Sequence, residues 1–168
     1  WKLSESKKSK SLNIEPVERR SVTIGEFVSA VIDKQYQHMV TQERGVLADK
    51  DPEYLHQMRV GSRRLSTALQ VFSHAVTLPK AAREKQVRAL TKALGALRDL
   101  DVQIASVRED YCPRVNSAER KMLAKVLESL DKQRKQAFIE VESILNHPSY
   151  EKLKAAYETW LENPQFSS

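Results

Sequence analysis

The sequence predicts an all-α protein, an antiparallel helical bundle of four long helices plus a short C-terminal helix. Three observations predict this class: apolar residues recur at helical spacing, the alternating pattern of strands is absent, and turn-forming residues are scarce. Only 4 of the 168 residues are glycine and 6 are proline. Such a composition favours long elements with short connections, which place consecutive helices antiparallel.

The first helix is predicted to begin at Thr23 and to end near Gly45. Thr23 and Glu26 form a capping box, in which each side chain satisfies a backbone N–H group of the other residue. The apolar spacing then continues along one face of the helix. Residues 1–21, rich in serine and lysine, are predicted to be a linker or disordered tail.

Each later helix has its own start signal. Asp51 is a natural N-cap before Pro52, Pro79 opens the following helix, and Asn116 caps the next one. The later helices are predicted over residues 52–76, 79–110, 116–145 and 148–162. The bundle is expected to span residues 22–163, with a tail over residues 164–168.

An excess of positive charge indicates an anionic partner. The chain carries 28 Lys and Arg against 22 Asp and Glu, a formal net charge of +6. Nucleic acid, an acidic membrane surface and a phosphate polymer all suit this balance, and a simple solubility charge explains it equally well. The single cysteine, Cys112, excludes an internal disulfide and a metal site built on several thiolates. With no signal peptide and no membrane span, a cytoplasmic protein is expected.

The most basic segment is the helix predicted from Pro52. Between His56 and Arg64 it holds one histidine and three arginines but no acid. On a helical wheel of about 100° per residue, Arg63 lies within about 40° of His56, Arg59 lies about 60° to one side, and Arg64 flanks the other side. The opposite arc is apolar and contains Met58, Leu65, Ala68, Leu69 and Phe72. The cations therefore form one basic stripe, with a core face behind it.

This basic stripe carries an electrostatic cost. Like charges at neighbouring helical positions destabilise a helix by roughly 0.2–0.5 kcal/mol each, and no acid on this helix relieves them. An anion from elsewhere must therefore stabilise the stripe, either a carboxylate of a neighbouring helix or a bound polyanion. The segment by itself leaves both explanations open.

The next helix adds cations in the segment "LTKALGALRDLDV", residues 90–102. Lys85, Arg88 and Lys92 share one of its faces at i, i+3 and i+7 spacing. The first helix contributes Lys34 and His38, one turn apart. Geometry thus adds Lys34, His38, Arg88 and Arg98 to the candidate binding residues.

Two acids and two glycines in these helices need a reason. Asp99 lies on the basic side, where an arginine is its expected partner, whereas Asp101 projects onto the apolar arc. Because a buried carboxylate is costly unless it is paired, we expect Asp101 to accept from Arg59 or Arg98 and to orient that guanidinium. Gly61 and Gly95 lie inside helices, where glycine costs about 1 kcal/mol relative to alanine. Close approach of two helices is the expected reason for both glycines.

Two motifs on consecutive predicted helices carry a family resemblance. "HQMRVGSRRL" and "LGALRDLDV" resemble the His-x-x-Arg-Val-x-x-Arg-Arg-Leu and Leu-Gly-x-x-Arg-Asp-Leu-Asp-Val helices of the CHAD family, the conserved histidine α-helical domain. The resemblance covers roughly residues 22–163. It implies a helical bundle that binds inorganic polyphosphate through basic residues lining a central groove. By motif it assigns that role to His56, Arg59, Arg63, Arg64 and Lys92.

The chain departs from the family in one respect. The family domain usually has two such halves, each with its own basic helix, whereas this chain contains one His-x-x-Arg signature. The resemblance therefore implies either a missing second half or a homodimer. Members are often preceded by a triphosphate-tunnel domain. Residues 1–20 could then be the end of the linker from such a domain. A location at polyphosphate granules follows from the implied function.

The predicted function is non-catalytic binding of inorganic polyphosphate or another polyanion, without metal or cofactor. The histidines lack the spacing of a metal site, since His56 and His74 share a face but lie about five turns apart. The alternatives are a nucleic-acid-binding module and a helical module for acidic proteins. The basic stripe has few aromatic residues on which bases could stack, and the chain carries no known nucleic-acid motif, so nucleic acid is the less favoured partner.

Overall fold

The computed structural model describes residues 23–167, which are helical almost throughout. Five long helices and one short helix are present: α1 (Ile24–Val40), α2 (Glu43–Ala48), α3 (Pro52–Val71), α4 (Glu84–Ser106), α5 (Ser117–Leu145) and α6 (Pro148–Glu162). Within this range the only β-type pairing is a bridge between Val76 and Phe166. The all-α class is therefore confirmed, and the expected tail over residues 1–21 lies outside the described residues.

The caps that the sequence predicts are present in the structure. First-turn N–H groups donate to the side chains of Thr23 at 3.0 Å, Asp51 at 2.9 Å and Asn116 at 2.9 Å. His147 caps α6 in the same way, because its Nδ1 accepts from the N–H of Ser149 at 3.1 Å. The helix starts are therefore set by local side-chain chemistry that satisfies otherwise unpaired donors.

Four predicted helix boundaries differ from the structure. Helix α3 ends at Val71 rather than at residue 76, and α4 ends at Ser106 rather than at residue 110, where a π-helical turn, Val107–Tyr111, follows. Helix α4 begins at Glu84 rather than at Pro79, because Pro79 leads into a single 3₁₀ turn, Lys80–Ala82, and Arg83 is extended. The buried hydroxyl of Tyr157 donates to the carbonyl of Ala82, which anchors this turn to α6. The first predicted helix is interrupted after Val40 and resumes as α2.

The helices α1, α3, α4 and α5 pack side by side in that order. The pairs are antiparallel: Phe27 near the start of α1 contacts Phe72 at the end of α3, with ring centroids 6.4 Å apart. Near the other end of this pair, Gly61 lies against Met39. Helix α3 therefore lies between α1 and α4, which sets the surroundings of the basic stripe.

Helix α6 closes the core at one end of this row. The ring of Tyr157 stacks on that of Tyr36 of α1, with centroids 5.2 Å apart, and Trp160 Nε1 donates to the carbonyl of Thr77 at 2.9 Å. Burial, followed by the charges of nearby groups, raises the pKa of Tyr157. Fully buried side chains of the core include Val28, Ile32, Met58, Leu65, Val87, Leu94 and Val141. The single core thus draws on α1, α3, α4, α5 and α6.

Candidate functional site

The basic stripe of α3 has the burial that its pattern predicts. The opposite side is in the core, with Met58 and Leu65 fully buried. On the basic side, His56 and Arg59 are half-buried, whereas Arg63 and Arg64 are exposed. The stripe therefore contains two kinds of cation, an inner pair one turn apart and an outer pair in contact with solvent.

Arg59 reaches across the seam between α3 and α4. A Cβ atom built on Gly95 of α4 would lie 3.2 Å from Arg59 Nε and 3.7 Å from its Nη2. Arg59 Nε is buried and has no hydrogen-bond partner within the described residues. Such unpaired buried donors are exceptional, since most buried polar groups in folded proteins are hydrogen-bonded. A charged N–H group without an acceptor is what an anion-binding position requires before its ligand arrives.

His56 repeats this feature one turn earlier. Its Nδ1 atom is buried and also makes no hydrogen bond within residues 23–167. The two unpartnered nitrogens belong to the same motif, at i and i+3 on one helix face. The site therefore contains two buried polar atoms whose partners are not supplied by the described part of the protein.

Helix α4 places its cations beside this stripe. The antiparallel register is set by Arg59 against Gly95, and by Ser66 and Gln70, which donate to Glu84 Oε1 at 2.8 and 3.1 Å. Arg63 lies between these two contacts along α3. It is therefore level with the α4 turn from Arg88 to Lys92, where both end residues are exposed.

Glu84 lies on this part of the seam, where it accepts the hydrogen bonds from Ser66 and Gln70. Its Oε1 atom lies 3.8 Å from Arg88 Nε on the same helix, and because the Arg88 side chain is 62% exposed, this pair is worth little on its own. Between residues 23 and 167, no carboxylate forms an ion pair with His56, Arg59, Arg63 or Arg64. Of the two explanations for the stripe, the described residues do not provide the neighbouring carboxylate.

The candidate residues of α1 lie on the other side of α3. His38 Nε2 is 2.9 Å from Gln57 Oε1, and the Gln57 amide donates to Glu53 at 2.5 Å. Because that amide oxygen can only accept, His38 Nε2 is the donor in this contact. Lys34, one turn earlier, is exposed. Among the predicted binding residues, His38 is thus the one already held by a protein hydrogen bond.

The expectation that Asp101 meets Arg59 or Arg98 is wrong. Asp101 Oδ1 accepts from Arg134 Nε of α5 at 2.6 Å, while the terminal nitrogens of Arg134 donate to Asp49 at 2.8 and 2.6 Å. The hydrogen bonds to Asp49 raise the pKa of Arg134 despite its burial, and those to Asp101 add to the effect. Asp101 faces α5 rather than α3, so it cannot orient the guanidinium of Arg59.

A sequence signal for Arg134 did exist. The residue falls on the packed arc of α5, in line with the half-buried Leu130 and Ala137 and the buried Val141. A cation on that arc needs a buried acid. Asp99, the other predicted partner of an arginine, is exposed and makes no ion pair within the described range, and Arg98 is half-buried.

Two other kinds of structure are absent from the described residues, a metal-binding cluster and a membrane-spanning helix. No group of three or more His, Cys, Asp or Glu side chains between residues 23 and 167 could hold a metal ion. None of the described helices has the length and apolar content to cross a bilayer. Cys112 is a free, half-buried thiol in a 3₁₀ turn after α4.

Comparison with known proteins identifies the family. The CHAD domain family matches residues 30–168. The chain belongs to the CHAD family. Both motifs of the CHAD resemblance lie inside the matched range, one on α3 and the other on α4. The comparison with curated proteins gave no match.

A solved CHAD structure is similar to this chain. The crystal structure of the CHAD domain from the plant Ricinus communis is 31% identical to this chain and superimposes with a TM-score of 0.64. The alignment covers 83% of this chain and 46% of the plant chain. This CHAD chain therefore spans about half the length of the structure it matches.

Proposed function

We propose that this CHAD chain binds inorganic polyphosphate without catalysis, on the surface where the basic stripe of α3 meets α4. One observation carries the proposal. Arg59 Nε is a buried charged donor without an acceptor, on a stripe that no described carboxylate neutralises. A ligand with many oxyanions would supply both the missing acceptor and the missing charge.

The chemistry of polyphosphate fits this surface better than that of nucleic acid. Polyphosphate has a negative charge on every unit and no bases to read, so cations at regular spacing suffice to bind it. Nucleic-acid sites usually add aromatic side chains on which bases stack. The exposed face of α3 has arginines but no aromatic residue between His56 and Gln70.

Binding of polyphosphate of defined chain length to the wild type and to an Arg59/Arg63/Arg64→Ala variant tests the proposal. We expect the variant to lose roughly 100-fold or more in affinity, because three charge-assisted contacts are removed. The matched control, Lys121/Lys125/Lys132→Ala, removes the same charge from the exposed side of α5. Equal affinity of the wild type and the arginine variant, or equal losses in both variants, would refute the site.

Competition separates the alternative ligands. Duplex DNA, RNA and polyphosphate are compared at equal phosphate concentration, with labelled polyphosphate bound to the protein. If duplex DNA or RNA displaces the labelled polyphosphate at the same concentration as unlabelled polyphosphate does, the nucleic-acid module is favoured. An acidic protein that still binds in saturating polyphosphate would favour the protein-binding module.

Polyphosphate incubated with the protein and Mg²⁺ is expected to keep its chain length.

A second helical half is proposed as the partner of the helical hairpin formed by the end of α4 and the start of α5. Met122 and Val126 of α5 are 69% and 44% exposed, and Val102 of α4 is 50% exposed. Because the related plant chain is about twice as long, we propose that this apolar surface packs against a second bundle of the same kind. A second copy of this chain would supply such a bundle, so the proposal can be tested on the purified chain.

Sedimentation of the purified chain over a range of concentrations tests this partner. We expect a reversible dimer that the Met122→Glu and Val126→Glu exchanges dissociate. A chain that stays monomeric at the highest concentration would exclude the homodimer.

In cells that accumulate polyphosphate, the proposed function predicts a location at the granules.

A further inference from the structure

Gly95 and Gly61 occupy equivalent places inside helices but face different neighbours. A Cβ atom on Gly61 would lie 2.8 Å from the backbone nitrogen of Met39, so this glycine permits close approach of α1 and α3. A Cβ atom on Gly95 would meet no backbone atom among its three nearest neighbours, all of which belong to the guanidinium of Arg59. The expected reason therefore holds for Gly61 and not for Gly95.

The space at Gly95 is used by a side chain that carries the proposed function. Gly95 is buried and has an ordinary helical φ, so its backbone conformation does not require glycine. A glycine in a helix interior is destabilising relative to alanine, and here it leaves room for the Nε, Cζ and Nη2 atoms of Arg59. The guanidinium thereby lies in the seam between α3 and α4.

A seated guanidinium binds an anion more tightly than a mobile one. An exposed arginine loses rotamer freedom when it binds, and this loss lowers the affinity. Arg59 has already lost much of that freedom, because its Nε atom is enclosed in the seam. Arg63 and Arg64 are exposed and have no such seat.

We infer that Gly95 is a positioning residue for anion binding, which holds the Arg59 guanidinium in the α3–α4 seam ready for a phosphate group. This inference rests on the proposed function of the stripe. It assigns the glycine of the "LGALRDLDV" segment to the ligand site rather than to helix packing. It also predicts that a side chain added at position 95 leaves the stability unchanged or raises it, but lowers the affinity for the anion.

Gly95→Ala is the variant that tests this role. Alanine favours the helix, and the contact at 3.2 Å can be relieved by a small movement of the Arg59 side chain. We expect the melting temperature to stay level or to rise, while polyphosphate affinity falls roughly fivefold or more. Gly95→Val is expected to weaken binding further. Unchanged affinity in both variants would overturn the inference, as would a loss of affinity that only accompanies unfolding.

Arg59 itself provides the spectroscopic readout. In ¹H–¹⁵N spectra of arginine side chains, the Nε–H signal of Arg59 is expected to be protected from exchange in the wild type, because the atom is buried. Gly95→Ala should shift this signal and speed its exchange while the signals of Arg63 and Arg64 stay in place. An unperturbed Arg59 signal in Gly95→Ala would contradict the inference.

A double-variant cycle distinguishes failure of the inference from failure of the proposed function. If Gly95 acts through Arg59, Gly95→Ala should cost no further affinity in an Arg59→Ala background. Should Arg59→Ala alone leave polyphosphate binding unchanged, the proposed site is wrong. If Arg59→Ala weakens binding but Gly95→Ala does not, the site stands and the positioning role of Gly95 is refuted.

Discussion

Individual cations of the stripe differ in burial although the sequence presents them alike. Arg59 has a buried Nε atom enclosed against Gly95, whereas Arg63 and Arg64 are exposed. A fixed, partly desolvated guanidinium forms stronger charge-assisted hydrogen bonds than a solvated one. We therefore expect Arg59 to contribute a directed contact, and the exposed arginines to contribute mainly charge.

The pH dependence of binding is predicted at the level of His56. A polyanion binds a protonated imidazole more tightly than a neutral one. The sign follows directly: affinity for polyphosphate should rise as the pH falls from 8 to 6, by roughly tenfold for one additional contact of this strength. Isothermal titration at constant ionic strength measures the effect.

Two variants control for the other titrating groups near this surface. His56→Gln should flatten the profile, since the amide does not titrate between pH 6 and pH 8. His38→Gln should leave it almost unchanged, because the Nε2–H group of His38 donates to Gln57 at 2.9 Å and is not free to donate to the ligand. A flat wild-type profile would exclude a role for the charge of His56.

Among pairs of helices, backbone separation is decided by single glycines and ion pairs. Helices α1 and α3 approach closely at Gly61, where a Cβ atom would lie 2.8 Å from the backbone of Met39. Gly61→Ala is expected to destabilise the protein by roughly 2 kcal/mol, because two backbones must separate and the gain in helix propensity of about 1 kcal/mol cannot compensate. Denaturant unfolding measures the difference, with Gly95→Ala as the matched control. Equal stabilities of the two variants would contradict this interpretation.

Arg134 ties three elements together. It joins Asp101 of α4 to Asp49, the residue that ends α2 with a left-handed φ of 53° just before α3. The side chains are 22%, 14% and 33% exposed, respectively. This arrangement fixes the start of α3, and so the level of His56 and Arg59, relative to α4.

Arg134→Met is predicted to lower the free energy of unfolding by roughly 2–3 kcal/mol. Its removal leaves two carboxylates without their cation, and one oxygen of Asp101 is already buried without a partner. Urea denaturation provides the measurement. Adding Asp101→Asn to Arg134→Met should recover part of the loss, since it removes a buried charge. An additive effect of the two exchanges would argue against the ion pair as the cause.

At the scale of the whole molecule, the net charge of +6 determines how strongly the binding of a long polyanion would depend on salt. Because phosphate binding releases counterions, the logarithm of the affinity should fall linearly with the logarithm of the salt concentration. Arg63→Ala should reduce the slope by about one unit, as removal of one phosphate contact does in nucleic-acid complexes. Lys125→Ala on the exposed side of α5 should leave the slope almost unchanged. Equal changes in both variants would indicate binding by overall charge.

Most of the helical architecture could be predicted because its signals are local. Helix starts follow from caps such as Thr23, Asp51 and Asn116, and the buried face of α3 follows from residue spacing. The start of α4 could not, because the turn before it is held by the Tyr157 hydroxyl, which donates to the carbonyl of Ala82 from a position distant in sequence. The motif cations were predictable as a stripe on one helix for the same local reason.

The sequence by itself determined the helical class, the basic stripe of α3 with its core face, and the two motifs that indicate the family. Only the tertiary structure decided that Asp101 pairs with Arg134, that Glu84 accepts from Ser66 and Gln70, and that Gly95 accommodates Arg59. The physical reason is that helical periodicity assigns each side chain to a face of its own helix. The partner on that face depends on the register between helices, which packing of the whole core sets.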